Sequence, residues 1–268
     1  MKTILAPVDF SEASINALSF AAALSKRASA RLFAINVVQK GESEDQAKVK
    51  LKGMEYDLKK SFGSDLRLEL SFAHGDLVSA LRKVISTQQP DLIAMGTKGA
   101  TGLKRILIGS NTVHVIANIK MPVLVVPEVA HFENFLNAEK NRIVLATDLD
   151  ELENEDALQI LKEIALLIPG PKVRVLSTRP KKTGLTDTKR MYRDFLLSFF
   201  EPEIEAERVT VFSRNVISGI NFYLNQHTDT RLLAMVARNS GHLIQKHFTR
   251  EMASHTHLPL LVLHDAKT

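Results

Sequence analysis

The chain has 268 residues, room for two domains of about 130 residues each, and 45% of them are hydrophobic, enough for compact cores. No cysteine is present, which excludes disulfides, thiolate metal sites and cysteine nucleophiles and fits a reducing compartment. The net charge of +5 is spread over interspersed Lys, Arg, Asp and Glu without a block of like charge or a nucleic-acid-binding motif, so it describes a solvated surface that attracts small anions and gives no reason to expect a nucleic acid as partner.

The run from Met1 to Asp9 is too short in apolar residues for a signal peptide, and no stretch reaches the roughly 18 apolar residues of a membrane span, so a cytoplasmic protein with no membrane partner is expected. Aromatic content is only 6%, and small and branched aliphatics dominate, which suits buried parallel strands covered by helices. Short apolar runs alternate with amphipathic stretches, the pattern of βαβ units. In chain order, strands are predicted near 2–8, 31–38, 66–73, 92–96 and 123–126, with helices near 12–28, 43–62, 76–88 and 111–119; Ser11 is a candidate N-cap for the first helix. The stretch after Pro127, with Phe132, Phe135 and Leu136 among polar residues, reads as a linker.

The pattern then restarts. Lys2–Asp9 is echoed by Arg142–Asp148, Pro90–Met95 by Asp229–Met235, and Met121–Val126 by Leu258–Leu263, three matches in the same order. Domains are therefore expected at 1–128 and 141–268, joined by a linker at 129–140. Both read as α/β units of doubly wound, Rossmann-like type.

In such sheets a ligand sits beyond the carboxyl ends of the strands, where strand order reverses. Pro7, Val8 and Asp9 end the first strand; Met95, Gly96, Thr97, Lys98 and Gly99 end the fourth. From Gly96 to Thr112 the sequence holds four glycines, followed by Ser110, Asn111 and Thr112 opening a helix. Glycines let main-chain amides approach a phosphate, and a helix N-terminus offers unpaired N–H groups and a positive dipole. Lys98, Lys104 and Arg105 are close enough in sequence to neutralise phosphates, and Asp9 can accept from ribose hydroxyls. Taken singly, Asp9 also reads as a capping residue and Gly96 as a strand end. The spacing is neither that of a Walker loop nor that of a dinucleotide fingerprint, which weakens P-loop ATPase and dehydrogenase readings.

Gly96, Gly99, Gly109 and Ser110 instead match Gly-x2-Gly-x9-Gly-Ser/Thr, and the chain resembles the nucleotide-binding universal stress proteins over essentially its whole length, twice. The resemblance implies two tandem domains, each a five-stranded parallel sheet of order 3-2-1-4-5 with helices on both faces. It further implies an adenine nucleotide, ATP or else ADP or AMP, in the first. By that analogy Pro7, Asp9, Val37 and Met95 line the adenosine side, and Gly96, Thr97, Lys98, Gly99, Gly109, Ser110, Asn111 and Thr112 hold ribose and phosphates. Mg²⁺ would be held by the phosphates, with Asp9 as the one candidate protein ligand. Family members pair through their last strands, which implies an internal pseudo-dimer of Val123–Val126 with Leu260–Leu263; pairing of two whole chains is a further family habit.

The second copy departs from the pattern. Ala146 replaces Pro7; counted back from Pro259, Val236 and Asn239 stand for Gly96 and Gly99, and Lys246 and His247 for Gly109 and Ser110, in a loop three residues shorter. It reads as a degenerate half without a phosphate cradle. Six of nine histidines lie between His227 and His264, but His255 and His257, two apart, would point away from each other on a helix, so no protein metal site is expected. No catalytic residue is assigned. The expected function is a stress-response regulatory module, with an undefined protein partner, that binds ATP and hydrolyses it weakly at most; the alternatives are a slow Mg-dependent ATPase or phosphotransferase, and a scaffold with a vestigial site.

Overall fold

A computed structural model describes residues 1–38, 43–97, 109–136, 141–153, 155–180, 184–238 and 258–265. The first half runs β1 (Thr3–Val8), α1 (Glu12–Ala28), β2 (Arg31–Val38), α2 (Glu44–Phe62), β3 (Leu68–His74), α3 (Leu77–Gln88), β4 (Leu92–Thr97), α4 (Ser110–Asn118) and β5 (Val123–Pro127). A short α5 (Phe132–Leu136) leads to the second half: β6 (Asn141–Ala146), α6 (Asp156–Leu166), β7 (Pro171–Arg179), α7 (Asp187–Phe200), β8 (Glu205–Phe212), α8 (Val216–Gln226), β9 (Thr230–Arg238) and β10 (Leu260–Asp265). The helix starts follow local chemistry. Side chains of Ser11, Asp76, Thr186 and Asn215 each accept from a first-turn N–H of α1, α3, α7 and α8, respectively.

All ten strands form one sheet in the order β3-β2-β1-β4-β5-β10-β9-β6-β7-β8. Each half is thus a parallel 3-2-1-4-5 sheet, and the halves meet where β5 and β10 pair antiparallel, Leu124 opposite Leu261. Central strands are buried on both faces, hence their near-continuous Ile, Leu, Val and Ala, whereas edge strand β8 alternates, with Glu205, Glu207 and Arg208 exposed.

One core layer joins α1, α6 and α7 to the sheet through Phe20, Leu24, Leu158, Leu161 and Phe200; the other joins α3, α4 and α8 through Leu81, Val115, Ile116 and Ile220. Both layers run through both halves. Residues 130–136 of the connecting stretch contribute to the first. Phe135 is 2% exposed, Phe20 lies 5.7 Å from Phe135 and 6.3 Å from Phe132, and Asn16 Nδ2 donates to the carbonyls of Pro127 (3.0 Å) and Ala130 (2.9 Å). Full burial of one such aromatic is worth roughly 1.5–3 kcal/mol. Among the described residues, no helix is long and apolar enough to cross a membrane.

Candidate functional site

The strand order places a crevice between the carboxyl ends of β1 and β4, and the ladder there opens early. β1 and β4 pair only at Ile4–Leu92 and Leu5–Ile93, whereas β1 and β2 pair through Val8–Asn36. Proline explains the difference. The Thr3 carbonyl accepts from Asp91 N at 2.9 Å, so the odd-numbered residues of β1 face β4, and Pro7 has no N–H with which to extend that ladder. Pro7 is itself buried. Leu5, Ile35 and Met95 share one core layer, and period-two alternation puts Pro7 and Val37 on the same face at the strand ends, beside Met95.

Asp9 shapes the chain as it leaves β1. Its Oδ1 accepts from Ser11 N (3.0 Å) and Ser11 Oγ (2.5 Å), forming a side-chain-closed turn around Phe10, whose φ is 63°. Asp9 remains exposed at the mouth of the crevice.

The two described glycines of the motif do different physical work. A Cβ on Gly96 would lie 2.1 Å from the Ala13 carbonyl oxygen, so this glycine is what lets the first turn of α1 lie on the end of β4. Its smallness thus serves packing, a role the sequence did not show. Among the described residues a Cβ on Gly109 would meet nothing within 4 Å. Gly109 N-caps α4 and, lacking a side chain, supplies no cap bond to the first-turn N–H groups of that helix. Ser110 and Asn111 are exposed on this turn. Thr112 is 1% exposed and donates to the Gly96 carbonyl at 3.2 Å, tying the start of α4 to the end of β4 instead of facing the crevice. Thr97 is also buried. Lys98, Gly99, Lys104 and Arg105 lie outside the described residues.

Asn36 was missed in the sequence. It is 4% exposed in an otherwise apolar strand, and its Nδ2 donates to the Val8 carbonyl at 2.8 Å, pinning the end of β1. An amide amid Leu, Phe, Ala, Ile and Val was the available signal.

In the second half the corresponding strand ends are tied together. Sheet register equates Met235 with Met95, Val236 with Gly96 and Ala146 with Pro7. Here the ladder continues to Ala146–Met235. Asp148 repeats the Asp9 turn, its Oδ1 accepting from Asp150 N at 3.1 Å around Leu149 with φ 61°. Residues 147–155 then separate β6 from α6, against 9–11 between β1 and α1. Leu149 and Leu152 of this longer loop are buried, and Val236 packs half-buried against the same layer. Arg238 ends β9. Its guanidinium reaches Asp148 Oδ1 (3.2 Å), Asp265 Oδ2 (2.5 Å) and the carbonyls of Glu151 (3.0 Å) and Asp150. Asp265, 7% exposed, also accepts from Glu153 N at 2.6 Å. Lys189 Nζ adds bonds to the Asp148 carbonyl (2.8 Å) and Asp150 Oδ1 (2.9 Å). Beside this cluster burial pushes the Tyr192 hydroxyl up to about 12. Lys246, His247, His255 and His257 lie outside the described residues, and no group of three or more potential metal ligands occurs among the described ones.

The profile of the Universal stress protein family matches residues 1–127. The chain is 32% identical over 144 residues to Universal stress protein MJ0531 of Methanocaldococcus jannaschii, spanning 47% of this chain and 81% of that one. Over its whole length it is similar to the crystal structure of a universal stress protein from Archaeoglobus fulgidus, with a TM-score of 0.75, 18% identity and 98% of each chain covered. A functionally unknown protein, PA1789, from Pseudomonas aeruginosa PAO1 superposes with a TM-score of 0.64 at 13% identity, covering 99% of this chain and 93% of that one. The two solved structures establish a shared fold.

Proposed function

This chain belongs to the universal stress protein family, and we propose that its first half is an adenine-nucleotide-binding module of regulatory character, with the second half silent toward nucleotide. The observation that carries the reading is the start of α4 at Gly109, a helix N-terminus whose first turn receives no side-chain cap bond from its N-cap residue, set beside the strand ends where Pro7 stops the β1–β4 ladder. Such a terminus presents unpaired N–H groups and about half a unit of positive charge, the environment a phosphate requires. The nucleoside would lie against Pro7, Val37 and Met95, with Asp9 at the mouth accepting from ribose hydroxyls. Phosphates would meet Gly109, Ser110 and Asn111, with Mg²⁺, where it accompanies ATP, carried by the phosphates. Asp9 engages one carboxylate oxygen in its turn and no residue is assigned as general base, so the reading is binding with weak hydrolysis at most.

The test is calorimetric titration of the chain with ATP, ADP and AMP, alongside a Gly109→Lys, Ser110→His variant carrying the second-half residues. The expected result is one nucleotide per chain and none for the variant. Absence of heat with every nucleotide would leave the scaffold reading standing. Phosphate release at the turnover of a dedicated ATPase, abolished by Asp9→Ala, would replace the module with an enzyme.

A further inference from the structure

The antiparallel junction of β5 and β10 relates the halves by an approximate twofold, which creates two equivalent gaps beside the seam. One lies between α1 and the start of the second-half sheet, and α5 fills it, packing on α1 and β9. The other lies between α6 and the start of the first-half sheet, where no connecting segment runs among the described residues. It remains a cavity of about 360 Å³. Its titratable lining is the α-amino group of Met1, Asp91, Lys120, Asp156, Glu163 and His264.

The carboxylates of this wall are engaged. Asp91 accepts from the N–H groups of Lys2 and Thr3, Glu163 pairs with the Met1 α-amino group, and Asp156 has a partner of its own. Two groups are different. His264 is 3% exposed, lines the cavity, and neither ring nitrogen has a hydrogen-bond partner among the described residues. Lys120, half-buried on the same wall, enters none of the ion pairs among the described residues. A buried imidazole with neither ring nitrogen bonded among the described residues carries the desolvation penalty of unsatisfied polar atoms, and that penalty falls if a ligand supplies the partner. The Lys120 ammonium, a charged lining group without an ion-pair partner among the described residues, favours an anionic ligand.

We propose that the seam cavity is a second ligand site, which holds a small oxyanion, the phosphate or carboxylate group of a metabolite, between the Lys120 ammonium and the His264 imidazole. In its absence burial, with the Lys120 charge adding to it, pulls His264 down to about 4. An anion there counters the Lys120 charge and favours the protonated imidazole, so the His264 pKa moves upward as the site fills.

The test uses the full chain carrying ¹³C-labelled histidine, with the His264 resonance assigned by its loss in His264→Gln. Inorganic phosphate and acetate are titrated separately at constant ionic strength. A saturable shift of the His264 signal is expected with at least one of them, in the Gly109→Lys, Ser110→His background as well, which separates this site from the nucleotide crevice. Lys120→Met should weaken it roughly tenfold, the effect of one desolvated charge contact of about 1.4 kcal/mol. A response to phosphate alone assigns a phosphoryl ligand, and one to acetate alone a carboxylate. No saturable shift with either anion, or an unchanged affinity in Lys120→Met, would overturn the proposal.

Discussion

The two strand-order switch points of this chain start from the same design and end in opposite states. Each opens with an aspartate that closes a turn around a positive-φ residue, Asp9 around Phe10 and Asp148 around Leu149. At the first, Pro7 ends the β1–β4 ladder early and Gly96 admits the start of α1 close to the strand. At the second, Ala146 restores the ladder, Val236 takes up volume, α6 starts later, and Arg238 supplies the positive charge that would otherwise meet a ligand. The difference teaches that the same turn can be followed by different strand ends: where the second half has no proline or glycine, an arginine of the chain satisfies its carboxylates.

The largest effect is expected where the halves are made alike at the packing residue. Gly96→Val drives a Cβ into the Ala13 carbonyl, and the first turn of α1 must move. A loss of about 3 kcal/mol in denaturant unfolding is expected, at the upper end for overpacking, together with loss of nucleotide binding. Stability unchanged within about 1 kcal/mol would show that α1 can retreat freely, as α6 does.

Next comes the arginine. Arg238→Met strands Asp265, which is 7% exposed, without its charge partner. The expected cost is about 2–3 kcal/mol, since breaking a buried pair leaves an uncompensated charge. A double-mutant cycle with Asp265→Asn should recover most of it, whereas Asp148, half-exposed, should couple to Arg238 by under about 1 kcal/mol. Equal coupling to both aspartates would place the weight of the latch on the turn instead of on β10.

The smallest effect separates turn from ligand. Asp9→Ala and Asp148→Ala each remove the same side-chain bond to the i+2 amide and should destabilise by a similar amount, about 1 kcal/mol. Only Asp9→Ala should weaken nucleotide affinity. Should both leave affinity untouched, Asp9 is a turn residue alone.

Much of the first half was legible because its signals are local. Ile4, Leu5 and Val8 form an apolar run closed by Pro7 and Asp9, Ser11 precedes a helix of alanines at core spacing, and the register of β9 on β10 pairs Val236 with Leu263 just as β4 on β5 pairs Gly96 with Val126, as counting back from Pro259 had suggested. What stayed hidden was long-range. Phe132 and Phe135 read as linker residues because their partner Phe20 is over a hundred positions away. Arg238 at a strand end reads as solvated, since Asp265 comes near only when β10 lies beside β9. The packing role of Gly96 also stayed hidden, because the Ala13 carbonyl it accommodates belongs to another element.

The amino-acid sequence by itself determined the duplication, the α/β alternation and the positions at which the second copy departs from the first, because apolar periodicity, capping residues and glycine spacing act over a few residues. Tertiary structure alone decided that β5 and β10 join two sheets into one, that α5 fills one of two gaps beside that seam while the other stays open onto His264, and that Arg238 ties the strand ends of the second half together. Each of these depends on contacts between residues distant in the chain, and their energies exist only once packing has brought the partners together.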